Sequence, residues 1–280
     1  MTNQRTPPRL LRVIRTEQLS PHMRRVILGG AALAGFPAGS AGAHIKLLLA
    51  RPGQIEPILP TLGPDGPVWP PSDVRPTART YTVSSYDARA GELAVDFVLH
   101  EDEGPASRWA HLAREGDAIG VAGPGGPRRF VPDAASYLLF GDSSALPVLA
   151  SVLANLPGHA SGYAFIEIAD SAEVQRLERP EGIELVWLIR TTQRPGESTL
   201  LLDAARSLDW PAEPVSVTLA GESHQVVALR EYLLQARGVP PDAMYAVPYW
   251  KDRHTEEAYH AERHQIMDRF EAEEKPETPA

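Results

Sequence analysis

The chain contains no cysteine in its 280 residues. That excludes disulfides, thiolate zinc centres and Cys-ligated iron–sulfur clusters, so any redox chemistry has to come from a bound cofactor. Lysine is scarce: Lys46, Lys251 and Lys275 are the only three, and the other basic side chains are arginine. No apolar run is long enough to cross a bilayer, so membrane insertion is not expected. Residues 1–10 are polar and proline-rich with no apolar core, which does not read as a secretory signal and makes the cytoplasm the expected compartment. Basic charge is also in deficit. With 27 basic and 36 acidic side chains the net charge is −9, which argues against nucleic-acid binding. The motifs G-x-S-x-G, P-loop and G-x-G-x-x-G are missing, so neither a serine hydrolase nor the common dinucleotide fingerprint is supported.

Proline is abundant, at 27 residues, and its concentration in 52–76 reads as a long loop. Around it, residues 10–130 carry short strand-like runs at 11–15, 23–28, 44–49, 81–84, 93–99 and 117–123. That spacing predicts a small antiparallel barrel, with one helix at 106–114. Near Asp133 the texture changes. Apolar strands at 137–140, 163–168, 185–189, 215–219 and 244–247 alternate with helical stretches at 145–156, 198–207 and 223–236. This βαβ rhythm predicts a parallel sheet covered on both faces. The expected organisation is a barrel domain over 1–132, an α/β domain over 133–250, and a C-terminal helix and acidic tail over 251–280.

Four segments carry candidate chemistry. In Arg79-Thr80-Tyr81-Thr82-Val83, strand alternation places Arg79, Tyr81 and Val83 on one face and Thr80, Thr82 and Ser84 on the other. An Arg beside a Tyr can hold a pyrophosphate while the ring lies against a flavin, and Thr82 can hydrogen-bond the edge of the flavin ring system. The plain alternative is an ordinary edge strand. Next, Asp96-Phe97-Val98-Leu99-His100 leads through an acidic turn to Gly104-Pro105-Ala106-Ser107, which opens a helix carrying Trp109. The start of that helix can receive a phosphate, or the segment can be a turn, a capped helix and a core Trp. Last, Phe140-Gly141-Asp142-Ser143-Ser144-Ala145 and Leu219-Ala220-Gly221-Glu222-Ser223 each follow a strand of the α/β half. Open parallel sheets bind ligands at such turns, although either segment can simply turn the chain. Arg190, Thr191 and Arg194 follow the third strand of this half and could meet the adenosine phosphate of NADPH, though exposed arginines are common in loops. His260 and His264 are four apart on a predicted helix, a spacing open to metal. With no third ligand evident, they read as part of a solvated acidic helix, and no metal site is expected.

Taken in order, Arg79-Thr-Tyr-Thr-Val, Asp96-Phe-Val-Leu-His, Gly104-Pro-Ala-Ser-Arg-Trp-Ala, Gly141-Asp-Ser-Ser-Ala-Leu-Pro and Tyr249-Trp250-Lys251 resemble the siderophore-interacting proteins. These are FAD-dependent ferric-siderophore reductases that include the vibriobactin-utilisation type. The resemblance covers roughly residues 9–260. It implies a ferredoxin-reductase-like architecture, with FAD on the N-terminal antiparallel barrel and NADPH or NADH on the C-terminal parallel-sheet domain. The implied activity is an NAD(P)H-dependent flavin oxidoreductase passing electrons to a ferric siderophore and releasing Fe(II). A general flavin reductase, or a siderophore-binding flavoprotein that reduces slowly, are the alternatives. The flavin would carry the chemistry, so no catalytic side chain is implied. By the match, Arg79, Tyr81, Thr82, Val83, Asp96, His100, Ala106, Ser107 and Trp109 would bind FAD. Gly141, Asp142, Ser143, Ala145, Gly221 and Glu222 would face the nicotinamide, and Tyr249 and Trp250 would close over the cofactor. Because ferric siderophores such as catecholates are anionic, Lys46, Arg129 and Lys251 are expected at the substrate entrance, with Arg128 and Arg253 as further candidates. The chain departs from the family pattern at Ser84, where Arg is frequent, and at Ser143 and Ser144, where Glu-Thr is usual.

Overall fold

A computed structural model describes residues 6–64, 66–99, 104–125, 134–191 and 194–274. The chain divides into two compact units, Met1–Arg128 and Arg129–Ala280.

The first unit is a closed antiparallel barrel. Its strands are β1 (Arg9–Ser20), β2 (Met23–Gly29) and β3 (His44–Leu49). A small hairpin follows, β4 (Thr61–Gly63) and β5 (Gly66–Val68), then β6 (Thr77–Asp87), β7 (Glu92–Val98), helix α1 (Pro105–Leu112) and β8 (Ala118–Gly125). The barrel order is β1-β2-β7-β6-β3-β8, and β8 pairs back onto β1, so no edge is left open. Leu11, Val26, Leu47, Val83, Leu93, Val95, Phe97, Ile119 and Val121 fill the interior from successive strands. Each such aliphatic side chain stabilises the fold by about 1.5–3 kcal/mol relative to exposure.

Two expectations need correction here. The proline-rich stretch 52–76 is not all loop, since it contains the β4–β5 hairpin. It is also anchored to the barrel: Leu59 lies where a Cβ on Gly120 would fall, 2.4 Å away. Strict alternation along β6 also fails. The β6–β7 register slips between Val83 and Ser85, and neighbouring Thr82 and Val83 are both buried. A bulge turns Ser84 toward the face that carries Asp96.

The second unit is a five-stranded parallel sheet ordered β11-β10-β9-β12-β13. The chain runs β9 (Ser136–Asp142), α2 (Leu146–Asn155), β10 (Ser161–Ile168), β11 (Gly182–Ile189), α3 (Leu200–Ser207), β12 (Val215–Glu222), α4 (Ser223–Arg237), β13 (Met244–Trp250) and α5 (Glu256–Glu274). Every residue of β9 and β12 is buried, as expected of central parallel strands covered on both faces. From β9 the chain steps outward to β10, and from β12 outward to β13 on the other side. The switch point therefore lies between β9 and β12. Helix α5 packs through Tyr259 and Phe270.

Candidate functional site

In the first unit the residues of interest gather on β6, β7 and α1. Tyr81 lies opposite Ile45 of β3, and its ring is 4.5 Å from that of Phe97 on β7. Phe97 in turn lies 5.7 Å from Trp109 on α1. Phe97 is fully buried, while Tyr81 and Trp109 are half-buried against the same core. The buried ring thus fixes two partly exposed aromatic surfaces, which is how a wall for a planar ligand is held rigid. Arg79 is half-buried two residues before Tyr81, and its Nη1 donates to the Ala78 carbonyl at 2.8 Å.

Helix α1 starts behind Gly104, which has no side chain to cap it. Pro105 occupies its first turn, and no acidic residue lies there. Among the described residues, a Cβ at Gly104 would meet nothing within 4 Å. A helix start whose first turn carries no carboxylate suits a phosphate. Ala106 and Ser107 are buried in that first turn. The aromatic wall, the arginine and the uncapped helix start together fit a flavin dinucleotide. His100 lies outside the described residues, and so do Arg128 and Arg129.

Two of the expected contact residues also have structural partners of their own. Val83 is fully buried in the barrel core; its N–H donates to Ala43 O at 2.9 Å and its carbonyl accepts from Gly42 N at 2.8 Å. Asp96 is clasped by Arg25, with Nε to Oδ1 at 2.7 Å and Nη2 to Oδ2 at 2.9 Å. Ser84 Oγ donates to Asp96 Oδ2 at 2.8 Å and accepts from Arg25 Nη2 at 2.8 Å. The carboxylate holds the Arg25 guanidinium above its ordinary pKa. Ser84 is thus the third member of a bridge across β2, β6 and β7.

In the second unit the expected turns meet at the switch point. Asp142 ends β9, is 5% exposed, and accepts four hydrogen bonds. Oδ1 takes Ser144 N at 2.8 Å and Ser144 Oγ at 2.6 Å; Oδ2 takes Glu222 N at 2.8 Å and Trp250 Nε1 at 2.9 Å. Glu222, 1% exposed, caps α4 by accepting from His224 N at 2.7 Å and Gln225 N at 3.3 Å. Its other oxygen accepts from Asp252 N at 3.1 Å. The two glycines permit this closeness. A Cβ on Gly141 would lie 2.8 Å from Ala220 O, and Gly221, at φ +138°, would drive one to 2.7 Å from the Asp142 carboxylate. Ala145 is fully buried beneath Gly141, Ser143 is half-buried, and the Trp250 indole N–H is spent on Asp142. Tyr249 is half-buried at the end of β13.

Several predicted cations are already matched. Lys251 Nζ contacts both oxygens of Glu262 at 2.7 Å, so its charge is neutralised within the second unit. Arg190 pairs with the buried Glu167, and Arg194 with Asp252. Lys46 is exposed on β3 and donates to Thr80 Oγ1 across the strand pair, while Arg253 is exposed just after β13. Sequence reasoning missed Glu167, which also accepts from Ser198 Oγ at 2.6 Å. The signal was present: an acid inside the apolar run 163–168 needs buried partners.

The sequence relationships agree with this geometry. The siderophore-interacting FAD-binding domain family matches residues 12–128, and the siderophore-interacting protein family matches residues 134–253. The chain belongs to the siderophore-interacting protein family. It is 38% identical over 269 residues to the ferric vibriobactin reductase ViuB of Vibrio cholerae, spanning 95% of this chain and 97% of that protein. It is 33% identical to the NADPH-dependent ferric-chelate reductase of Escherichia coli, over 86% of this chain and 92% of that protein. The crystal structure of the siderophore-interacting protein SipS from Aeromonas hydrophila superposes with a TM-score of 0.81 at 36% identity, covering 94% of this chain and 98% of that one. Like other members, this chain combines an FAD-binding-type barrel with a parallel-sheet unit in a ferredoxin-reductase-like fold. Among the described residues, no helix is long and apolar enough to cross a membrane.

Proposed function

We propose that this siderophore-interacting protein is a ferric-siderophore reductase that binds FAD on its barrel and takes electrons from NADPH or NADH. The observation that carries the reading is the Tyr81–Phe97–Trp109 wall beside Arg79 and the open start of α1, within the family's FAD-binding domain. Bound flavin would supply the conversion of a two-electron hydride donor into single-electron delivery to Fe(III), which no side chain of a cysteine-free protein provides.

The protein's own part is binding and orientation. Arg79 and the first turn of α1 would hold the pyrophosphate, Tyr81 and Trp109 would lie against the planar ring system, and Thr82 would offer a hydroxyl to its edge. Phe97, Val83 and the Arg25–Ser84–Asp96 bridge hold these groups still. The nicotinamide nucleotide occupies the carboxyl ends of β9 and β12. NADPH as donor is supported by the Escherichia coli relative. Lys46, exposed and cationic, would meet an anionic iron chelate.

The test begins with the absorption spectrum of the purified protein. An anaerobic assay follows, with a ferric catecholate siderophore, NADPH or NADH, and a ferrous-specific chelator. Flavin bands and nucleotide-dependent Fe(II) release are expected. A protein that takes up no flavin on reconstitution, or that holds flavin but reduces no ferric siderophore with either nucleotide, overturns the proposal.

A further inference from the structure

Helix α5 turns one face inward and leaves the opposite face to solvent. Its inward face is tightly fixed. Tyr259 donates its hydroxyl to Ser223 Oγ at 2.7 Å, Arg263 Nε donates to Pro248 O at 2.8 Å, and Glu262 holds Lys251. Near the helix end, the buried Arg230 pairs with Glu273 and lies 3.9 Å from the centre of the Phe270 ring.

On the outward face His260 and His264 stand one turn apart, both exposed, with their Nε2 atoms 3.2 Å from each other and ring planes inclined by 49°. Without an ion, one imidazole donates to the other. The same separation is also the bite of a bound cation. With metal–nitrogen bonds of about 2.0–2.1 Å, two nitrogens 3.2 Å apart subtend roughly 100° at the ion, close to the tetrahedral angle. Little rearrangement is needed beyond turning both ring nitrogens' lone pairs to a common point.

We infer that His260 and His264 form a surface site for a late first-row divalent cation of the imidazole-favouring kind: Cu2+, Ni2+ or Zn2+. The helical spacing supports it. Glu256 lies four residues before His260 and Asp268 four after His264, so the stripe carrying the imidazoles is flanked by acids at both ends. Among the described residues no group of three potential ligands forms, so water completes the coordination and the site is open and exchangeable. Ferrous iron stands low in the affinity series for nitrogen ligands, so this is not a resting place for reduced iron. Because α5 is clamped along its inner face, both ligands rest on a rigid scaffold, and a bound ion ties one turn of that helix to the next.

The test uses the full chain in neutral, non-chelating buffer, titrated with Cu2+ and read by electron paramagnetic resonance, and with Zn2+ read by calorimetry. The first equivalent of Cu2+ should carry hyperfine structure from two nitrogens. His260→Ala or His264→Ala should weaken the first Zn2+ site by about tenfold or more, and the double variant should abolish it. His159→Ala, which removes an exposed histidine elsewhere, should change nothing. Circular dichroism of each variant checks that α5 remains helical. No saturable one-to-one binding, a one-nitrogen signal, or undiminished first-site binding in the double variant overturns the assignment.

Discussion

In the first unit, α1 begins behind a glycine that cannot cap it, with no acid in the first turn. In the second, the two helical turns at the switch point begin on carboxylates. Asp142 caps the short turn before α2, and Glu222 caps α4. A helix start is a place of partial positive charge in either unit; α1 has no side-chain cap, while the turn before α2 and helix α4 are capped by carboxylates. The phosphates of a dinucleotide cofactor therefore suit the barrel. At the switch point the buried carboxylates of Asp142 and Glu222 already occupy the equivalent positions.

This contrast can be broken in three ways. Asp142→Ala strands Ser144 N, Glu222 N and Trp250 Nε1. At about 1 kcal/mol or more for each orphaned donor, unfolding of the second unit should become easier by about 3 kcal/mol, as measured by urea denaturation. Flavin should remain on the barrel; simultaneous loss of flavin would show that Asp142 serves the cofactor directly. Arg79→Ala should weaken FAD by about 1.5–3 kcal/mol, or roughly tenfold to a hundredfold, read by fluorescence titration, while riboflavin, which has no phosphate, should bind as before. Equal weakening of both ligands would place Arg79 at the ring rather than at the pyrophosphate. The smallest and most direct change is Gly104→Asp, which gives α1 the carboxylate cap that the second unit uses. The position has room and an ordinary φ of −57°. The barrel should gain stability by about 0.5–1 kcal/mol while FAD affinity falls severalfold. Unchanged affinity would remove α1 from the phosphate site.

Much of the fold was legible because periodicity is a local property. The strand-like run at 93–99 and the apolar runs at 137–140 and 215–219 each became a strand, although 93–97 are buried throughout rather than alternating. What escaped was non-local. Ser84 reads as a lost charge in the sequence, yet it completes a bridge whose other members are Arg25 and Asp96 on different strands. Lys251 reads as an open cation, and its partner Glu262 lies on the following helix. Trp250 reads as a cofactor lid, and the sequence does not show that its indole N–H reaches back 108 residues to Asp142. The bulge at Ser84 was equally invisible, since a register slip depends on the neighbouring strand and not on the residue itself.

The clasp of Arg230 by Glu273 has a consequence for how the protein is made. Every barrel strand of the first unit lies before residue 126, so its sheet can close while the ribosome is still reading the rest of the message. The second unit has no such early exit. Its buried guanidinium on α4 waits unpaired for a carboxylate translated 43 residues later, and Ser223 waits 36 residues for the hydroxyl of Tyr259. Helix α5 is thus the element that satisfies both buried groups. A chain interrupted before residue 256 would present a finished barrel joined to a complete set of sheet strands whose α4 still lacks these partners.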